Sequence, residues 1–120
     1  MSLKSNTVSL HPYFKPHAGK VEAIRALLPA FVEKSSTEEK ILYYDFTFSG
    51  DELFCREGYI GADGILAHLA NVSDLLNELL KMADLARLEI HGPASELEKL
   101  KEPLSALNPT WFAYECGIMR

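Results

Sequence analysis

Residues 6–11, Asn6-Thr7-Val8-Ser9-Leu10-His11, alternate polar and apolar, the period-two signature of a half-buried strand. Pro12 and Pro16 are expected to stop it. From His17 to about Glu33 the period changes. Val21, Ile24, Leu27, Leu28, Phe31 and Val32 recur at steps of three and four, on one helical face. Pro29 falls inside that pattern and predicts a kink or an early stop. Ser35-Ser36-Thr37 closes the segment as a loop. Lys40 to Phe48 is aromatic and branched on both faces apart from Asp45, as a central strand covered on both sides would be. Ser49-Gly50-Asp51 predicts a turn, and Glu52 to Ile60 the second arm of a hairpin. On that arm Leu53, Cys55, Glu57 and Tyr59 share one face, and Phe54, Arg56 and Ile60 the other.

Ala62 to Met82 reads as a helix in two pieces. Ile65, Leu66, Leu69 and Val72 form the first stripe; Ser73 is placed as a fresh N-cap, and Leu75, Leu76, Leu79 and Leu80 continue. Leu85 to His91 alternates again, with Leu85, Arg87, Glu89 and His91 facing one way and Ala86, Leu88 and Ile90 the other. Gly92-Pro93 ends this strand. Ser95 and Glu98 have capping-box spacing. Leu97, Leu100, Leu104 and Leu107 follow at helical spacing, interrupted by Pro103; Asn108-Pro109 turns the chain into a last strand, Trp111 to Cys116.

The order is β-α-β-β-α-β, then α-β. The first six elements predict an α+β, ferredoxin-like domain with helices on one sheet face. The chain is expected to be a single domain, 1–120, with a core over 6–92 and an appended helix and strand over 93–120. The apolar character of 41–48 on both sides predicts that the bare sheet face is covered by a second copy. The last strand either extends the sheet or reaches that partner.

Composition narrows the class. With 120 residues, 48% hydrophobic and 24% charged, the chain fits one soluble globular domain. No apolar run approaches the roughly 18 residues of a membrane span. No apolar segment follows Lys4, so no signal peptide is read and a cytoplasmic protein is expected. The net charge is -5 and the basic residues are scattered, which argues against nucleic acid. Cys55 and Cys116 fit neither a metal spacing nor a CxxC motif, and are expected to be reduced, buried thiols. His11 and His91 end strands without a third ligand at metal spacing, so no metal is expected.

The chemistry concentrates between Phe54 and Leu69, which hold Glu57, Tyr59 and His68. His68 is either a pocket base with an ordinary pKa of about 6.5 or a structural histidine bonded to the sheet. Glu57 is either an acid–base group or half of an ion pair, with Arg87 or His68 as partner. Tyr59 either bonds a substrate oxygen or packs; Tyr44 reads the same way. Tyr44, Phe46, His11 and Arg87 are the candidates for holding a substrate. Arg87 and Glu89 also suit a cross-strand pair or a dimer contact.

Four local features resemble the antibiotic biosynthesis monooxygenase (ABM) domain family of dimeric α/β barrel proteins. They are Glu38 followed by Leu42 and Tyr44; Glu57-Gly58-Tyr59 followed by Ala67-His68; the broken second helix; and the tail Gly92-Pro93-Ala94-x-Glu96-Leu97-x-Lys99-Leu100. Glu39-Lys40 stands where the family often has Pro-Gly, and Trp111 lies in the appended strand rather than on a helix. The resemblance implies a homodimer of ferredoxin-like subunits, each with a pocket between sheet and helices. It implies a cofactor-independent monooxygenase acting on a quinol-like or polyphenolic aromatic molecule, with His68 as base, Glu57 orienting it and Tyr59 beside them. The alternatives are a non-catalytic dimer that binds a small apolar ligand and, more weakly, a haem-binding or haem-degrading protein. The Asn/Trp/His set of haem degraders has no clear counterpart here.

Overall fold

The computed structural model describes residues 6–118. In chain order the elements are β1 (Thr7–Pro16), α1 (Val21–Ser35), β2 (Ile41–Ser49), β3 (Glu52–Ile60), α2 (Gly61–Asn71), α3 (Ser73–Leu80), β4 (Ala83–Gly92), α4 (Ala94–Lys101), a 3₁₀ turn (Ser105–Leu107) and β5 (Thr110–Ala113). One five-stranded sheet has the order β2-β3-β1-β4-β5. The β1–β3, β1–β4 and β2–β3 pairs are antiparallel, and β5 lies parallel to β4. The first seven elements therefore form the ferredoxin-like unit, with its second helix broken at Val72. The appended strand extends the sheet.

Several elements depart from the sequence expectation. β1 runs through both prolines to Pro16. Its pairing with β3 passes from Leu10↔Glu57 to Tyr13↔Phe54, so the N–H that Pro12 lacks falls at a gap in that ladder. β2 is an edge strand with its odd positions half-exposed or open, not a covered central one. A bulge lies opposite Tyr13 and Phe14, which pair with Arg87 and Leu85. The extra residue reverses the parity of β4, so Leu85 packs inward with Leu88 instead of sharing the outer face of Arg87. α1 continues past Pro29 to Ser35. Ser73 opens α3, but Val72 is the N-cap and no side chain caps it. Ser95 and Glu98 make no capping box: α4 starts at Ala94 behind Pro93. β5 ends at Ala113, and Cys116 beyond it is exposed, whereas Cys55 is buried as expected.

The helices cover one sheet face and leave the core in two clusters. One holds Val8, Leu10, Tyr59, Ile65, Ile90 and Leu100; the other holds Phe14, Ile24, Phe31, Leu53, Val72 and Leu79. No helix among the described residues is long and apolar enough to cross a membrane.

α4 also holds the start of α2 in place. Glu96 Oε1 accepts a hydrogen bond from the Ala62 N–H at 2.9 Å, and Oε2 accepts one from Lys99 Nζ at 2.8 Å. These donors hold the Glu96 carboxyl below the usual range. Gly61 makes the bend into α2 at φ +72, and a Cβ there would lie 3.0 Å or less from Glu96 Oε1 and Asn6 Nδ2. Glycine-to-alanine changes in helices ordinarily stabilise. Here Gly61→Ala is expected to destabilise the fold by about 1–3 kcal/mol, read as a lower urea midpoint; an unchanged or raised midpoint would contradict this strain.

Candidate active site

Strand parity and helix period deliver two of the site's groups. The alternation that buries Leu53 and Cys55 on β3 also turns Glu57 and Tyr59 inward. On α2, His68 lies on the row of Ile65 and Val72, the face turned to the sheet. The turn between α1 and β2 delivers the third. The Ser36 and Thr37 hydroxyls donate to the carbonyls of Glu33 at 2.6 Å and Lys34 at 2.8 Å, which satisfies the open end of α1. Asn71, at the end of α2, donates to the Lys34 carbonyl at 3.0 Å and to Glu38 Oε2 at 2.9 Å. The turn is thereby tied to the helix that carries His68, and Glu38 points inward.

Glu38, His68 and Glu57 stand in a row. The His68 Nδ1–H donates to Glu38 Oε2 at 2.9 Å, and Nε2 faces Glu57 Oε1 at 3.5 Å. The Tyr59 hydroxyl donates to the same Glu57 oxygen at 2.6 Å. The side chains of Glu38, His68 and Glu57 are 8%, 3% and 5% exposed, so two carboxyls and one imidazole share a nearly dry space. The Tyr44 ring meets His68 edge-on at 4.9 Å.

Burial governs how these groups ionise. It raises Glu57 to about 7, against the hydrogen bonds from Tyr59 and Cys55 that favour the charged form. Burial lowers His68, opposed by the hydrogen bond and charge of Glu38. At neutral pH the imidazole is therefore uncharged. Its proton is held on Nδ1 by Glu38, and Nε2 is left as a base. Beside it stands a carboxyl that burial has raised to about 7, so that it can carry its own proton near neutral pH. The Tyr44, Tyr59 and Cys55 groups are pushed up, first by burial and then by the Glu57 charge. They remain protonated donors, and Cys55 is no thiolate nucleophile.

The row borders a cavity that opens to solvent, with about 620 Å³ between its walls when the space is counted out through its mouth. Glu57, His68, Tyr44 and Phe46 line it, as does Cys55. Tyr59 does not line it and acts only through Glu57. His11 and Arg87 are on the other side of the sheet. Leu10 and Pro12 turn toward the cavity, so His11 between them turns away; its Nε2 is 2.8 Å from Ser9 Oγ. Arg87 is largely exposed and pairs with Glu89. Neither holds a molecule in this cavity, and of the two partners considered for Glu57 only His68 serves. Glu38 and Asn71 were missed as site residues. Neither sits in a periodic pattern, and only the turn geometry brings them to His68.

MupZ from Pseudomonas fluorescens is 40% identical to this chain, with a TM-score of 0.93 over 97% of this chain and 91% of MupZ. The chain belongs to the same family as MupZ. Two more distant structures share its ABM-like fold. A Nitrosomonas europaea protein provisionally named antibiotic biosynthesis monooxygenase is 16% identical, with a TM-score of 0.67 over 78% of this chain and 96% of its own. A Chloroflexus aurantiacus protein with the same provisional name is 19% identical, with a TM-score of 0.61 over 73% and 93%. No family model matches the chain, and no curated protein matches it. The MupZ family thus keeps the ABM-like fold and carries, in this chain, a buried carboxyl–imidazole–carboxyl row at the edge of a cavity.

Proposed function

We propose that this protein is an acid–base enzyme acting on a small, uncharged molecule held in the cavity. The observation that supports it is the juxtaposition of an uncharged His68 Nε2 and a proton-sharing Glu57 at 3.5 Å, both lining that cavity. In the first form of this reading the enzyme is a cofactor-independent monooxygenase of a quinol-like or polyphenolic aromatic, a form suggested by the fold shared with the provisionally named monooxygenases. His68 takes the phenolic proton, and the phenolate passes one electron to dioxygen. The radical and superoxide join in a carbon–oxygen bond. The peroxide then loses water to leave a quinone, with Glu57 placed to protonate the departing hydroxide. One phenol and one dioxygen give one quinone and one water.

A second form is favoured by the protonated state of Glu57. A base and an acid side by side suit a proton transfer from one atom of a substrate to another, with no oxygen consumed. Incubating the protein with 1,4-dihydroxynaphthalene in air and under argon, with an oxygen electrode, tests the two. Oxygen uptake above the protein-free rate, with formation of the hydroxylated quinone that carries one inserted oxygen, lost under argon, supports the monooxygenase. Catalytic loss of substrate under argon supports the second form. No loss in either, with this compound and a set of related phenols, leaves the non-catalytic binding protein.

The outer sheet face carries Tyr13, Phe54 and the stacked pair His91–Phe112, with ring centroids 4.4 Å apart. Tyr43 and Phe112 there are more than a third exposed. We place a second copy on this face, in a homodimer. Light scattering is expected to give about twice the chain mass of 13.4 kDa; a mass of 13.4 kDa would contradict the dimer.

A further inference from the structure

The cavity is not uniform along its length. Nine leucines and one valine make up most of its eighteen lining residues. Its polar groups, Cys55, Glu57 and His68, are all buried, with Tyr44 and Phe46 beside them. Leu69, Leu76 and Leu107 are half-buried, and Leu80 is 38% exposed. Leu10, Leu79, Leu88 and Leu104 are buried with the polar groups, so the space runs from its polar groups along leucines to a mouth where Leu80 is open. β1, α2, α3 and β4 supply seven of these leucines; Leu104 and Leu107, from the segment after α4, supply the other two.

A share of this chain about the size of that appended unit is unmatched in the distant fold relatives. They spend 93% and 96% of their own length matching only 73% and 78% of this chain, whereas MupZ matches 97% of it. No lysine or arginine is among the described residues that line the cavity, and one carboxyl, Glu57, stands at its polar end, with Glu38 behind His68.

We infer that the ligand is an uncharged hydroxyl or carbonyl compound bearing an alkyl tail, its head at Glu57 and His68 and its tail along the leucine wall closed by Leu104 and Leu107. The head's placement rests on the acid–base reading; the tail's does not. An aromatic head would meet the Tyr44 and Phe46 rings, which pack edge-on against each other at 5.2 Å, but an aromatic ring alone would leave the leucine wall unused. An anionic head is disfavoured because it would meet the Glu57 carboxyl in a lining without a cation. The appended segment is then the element that measures the tail.

The test is isothermal titration of the intact protein with 4-alkylphenols from methyl to octyl, and with octanol against octanoate. Each added methylene is expected to tighten binding about fourfold until the mouth is reached, and octanoate to bind at least tenfold more weakly than octanol at pH 8. Leu107→Trp, at a half-exposed position, is expected to flatten the series for the longer tails and to leave 4-methylphenol unchanged. Leu80→Asp, at the open edge, is expected to do the same without entering the core. A series that is flat from the start, or a slope that both variants leave intact, overturns the inference. The two readings fail separately. A flat series beside turnover that depends on Glu57 removes the tail alone. A steep series beside turnover indifferent to Glu57→Gln removes the acid–base reading alone.

Discussion

Glu57→Gln is expected to be more stable than the native chain above pH 7 and to have lost nearly all turnover. Folding raises this carboxyl from 4.5 to about 7, so the folded state binds the proton more tightly than the unfolded one. The stability that this contributes is complete below pH 4.5 and is lost as the pH rises through 7. The difference is on the order of 3 kcal/mol. Glutamine imitates the protonated acid and still accepts the Tyr59 hydrogen bond, so it removes the decline. His68 acts in the other sense: its lowered pKa gives stability that is present above pH 6.5 and lost as the pH falls. That contribution is common to both proteins and largely cancels in the comparison. Urea midpoints from pH 4.5 to 8.5 are therefore expected to start together and to separate as the pH rises through 7, the native protein falling below the variant. Turnover of any substrate found is expected to fall about 10²–10⁴-fold, since glutamine can neither give nor take the proton. A variant less stable than the native protein at every pH would show that Glu57 is held charged by a partner.

Glu38→Gln is expected to lower turnover about a hundredfold or more while the fold survives. The carboxyl accepts from both His68 Nδ1–H and Asn71 Nδ2. Both donors meet Oε2, so a glutamine oxygen there still accepts from both, but its amide then stands in the place of Oε1, 3.2 Å from His68 Nδ1, and competes for that position. The variant loses two things: the fixed tautomer that leaves Nε2 as the base, and the charge that supports the imidazolium once a proton has been taken. Because the hydrogen bond and charge of Glu38 are what hold the His68 pKa up against burial, the variant's His68 is expected to titrate at still lower pH. NMR of the imidazole reads this. A purely structural role for Glu38 would weaken the fold and leave that titration where it was.

The reach of the sequence is clear in these residues. Period two placed Glu57 and Tyr59 on one face of β3, and helical spacing placed His68 on the sheet-facing row of α2; both placements hold because burial of one apolar stripe fixes the rest of its face. The same rule misled at β4, where one bulge residue moved Leu85 to the inner face. It also misled at His11, which alternation alone cannot assign to a side: with Leu10 and Pro12 inward, it points out. Aromatic composition made β2 look central, yet edge strands that await a partner surface carry aromatics too. Glu38 stood out only as part of the family resemblance and Asn71 not at all, because a turn, held by Ser36 and Thr37, carries the one to the other. The leucine wall was present as ordinary helical stripes, and nothing in spacing shows that two such stripes stand apart around a void.

The most direct test is a carbon-13 NMR titration of the Glu57 carboxyl from pH 3 to 9, with the His68 ring nitrogens followed in the same samples. An account built on a proton-sharing acid beside an uncharged base predicts that Glu57 titrates near pH 7, and that His68 is neutral at that pH with its proton on Nδ1. A Glu57 that titrates near 4.5 beside a charged His68 would make the pair an ordinary buried salt bridge and contradict the acid–base reading.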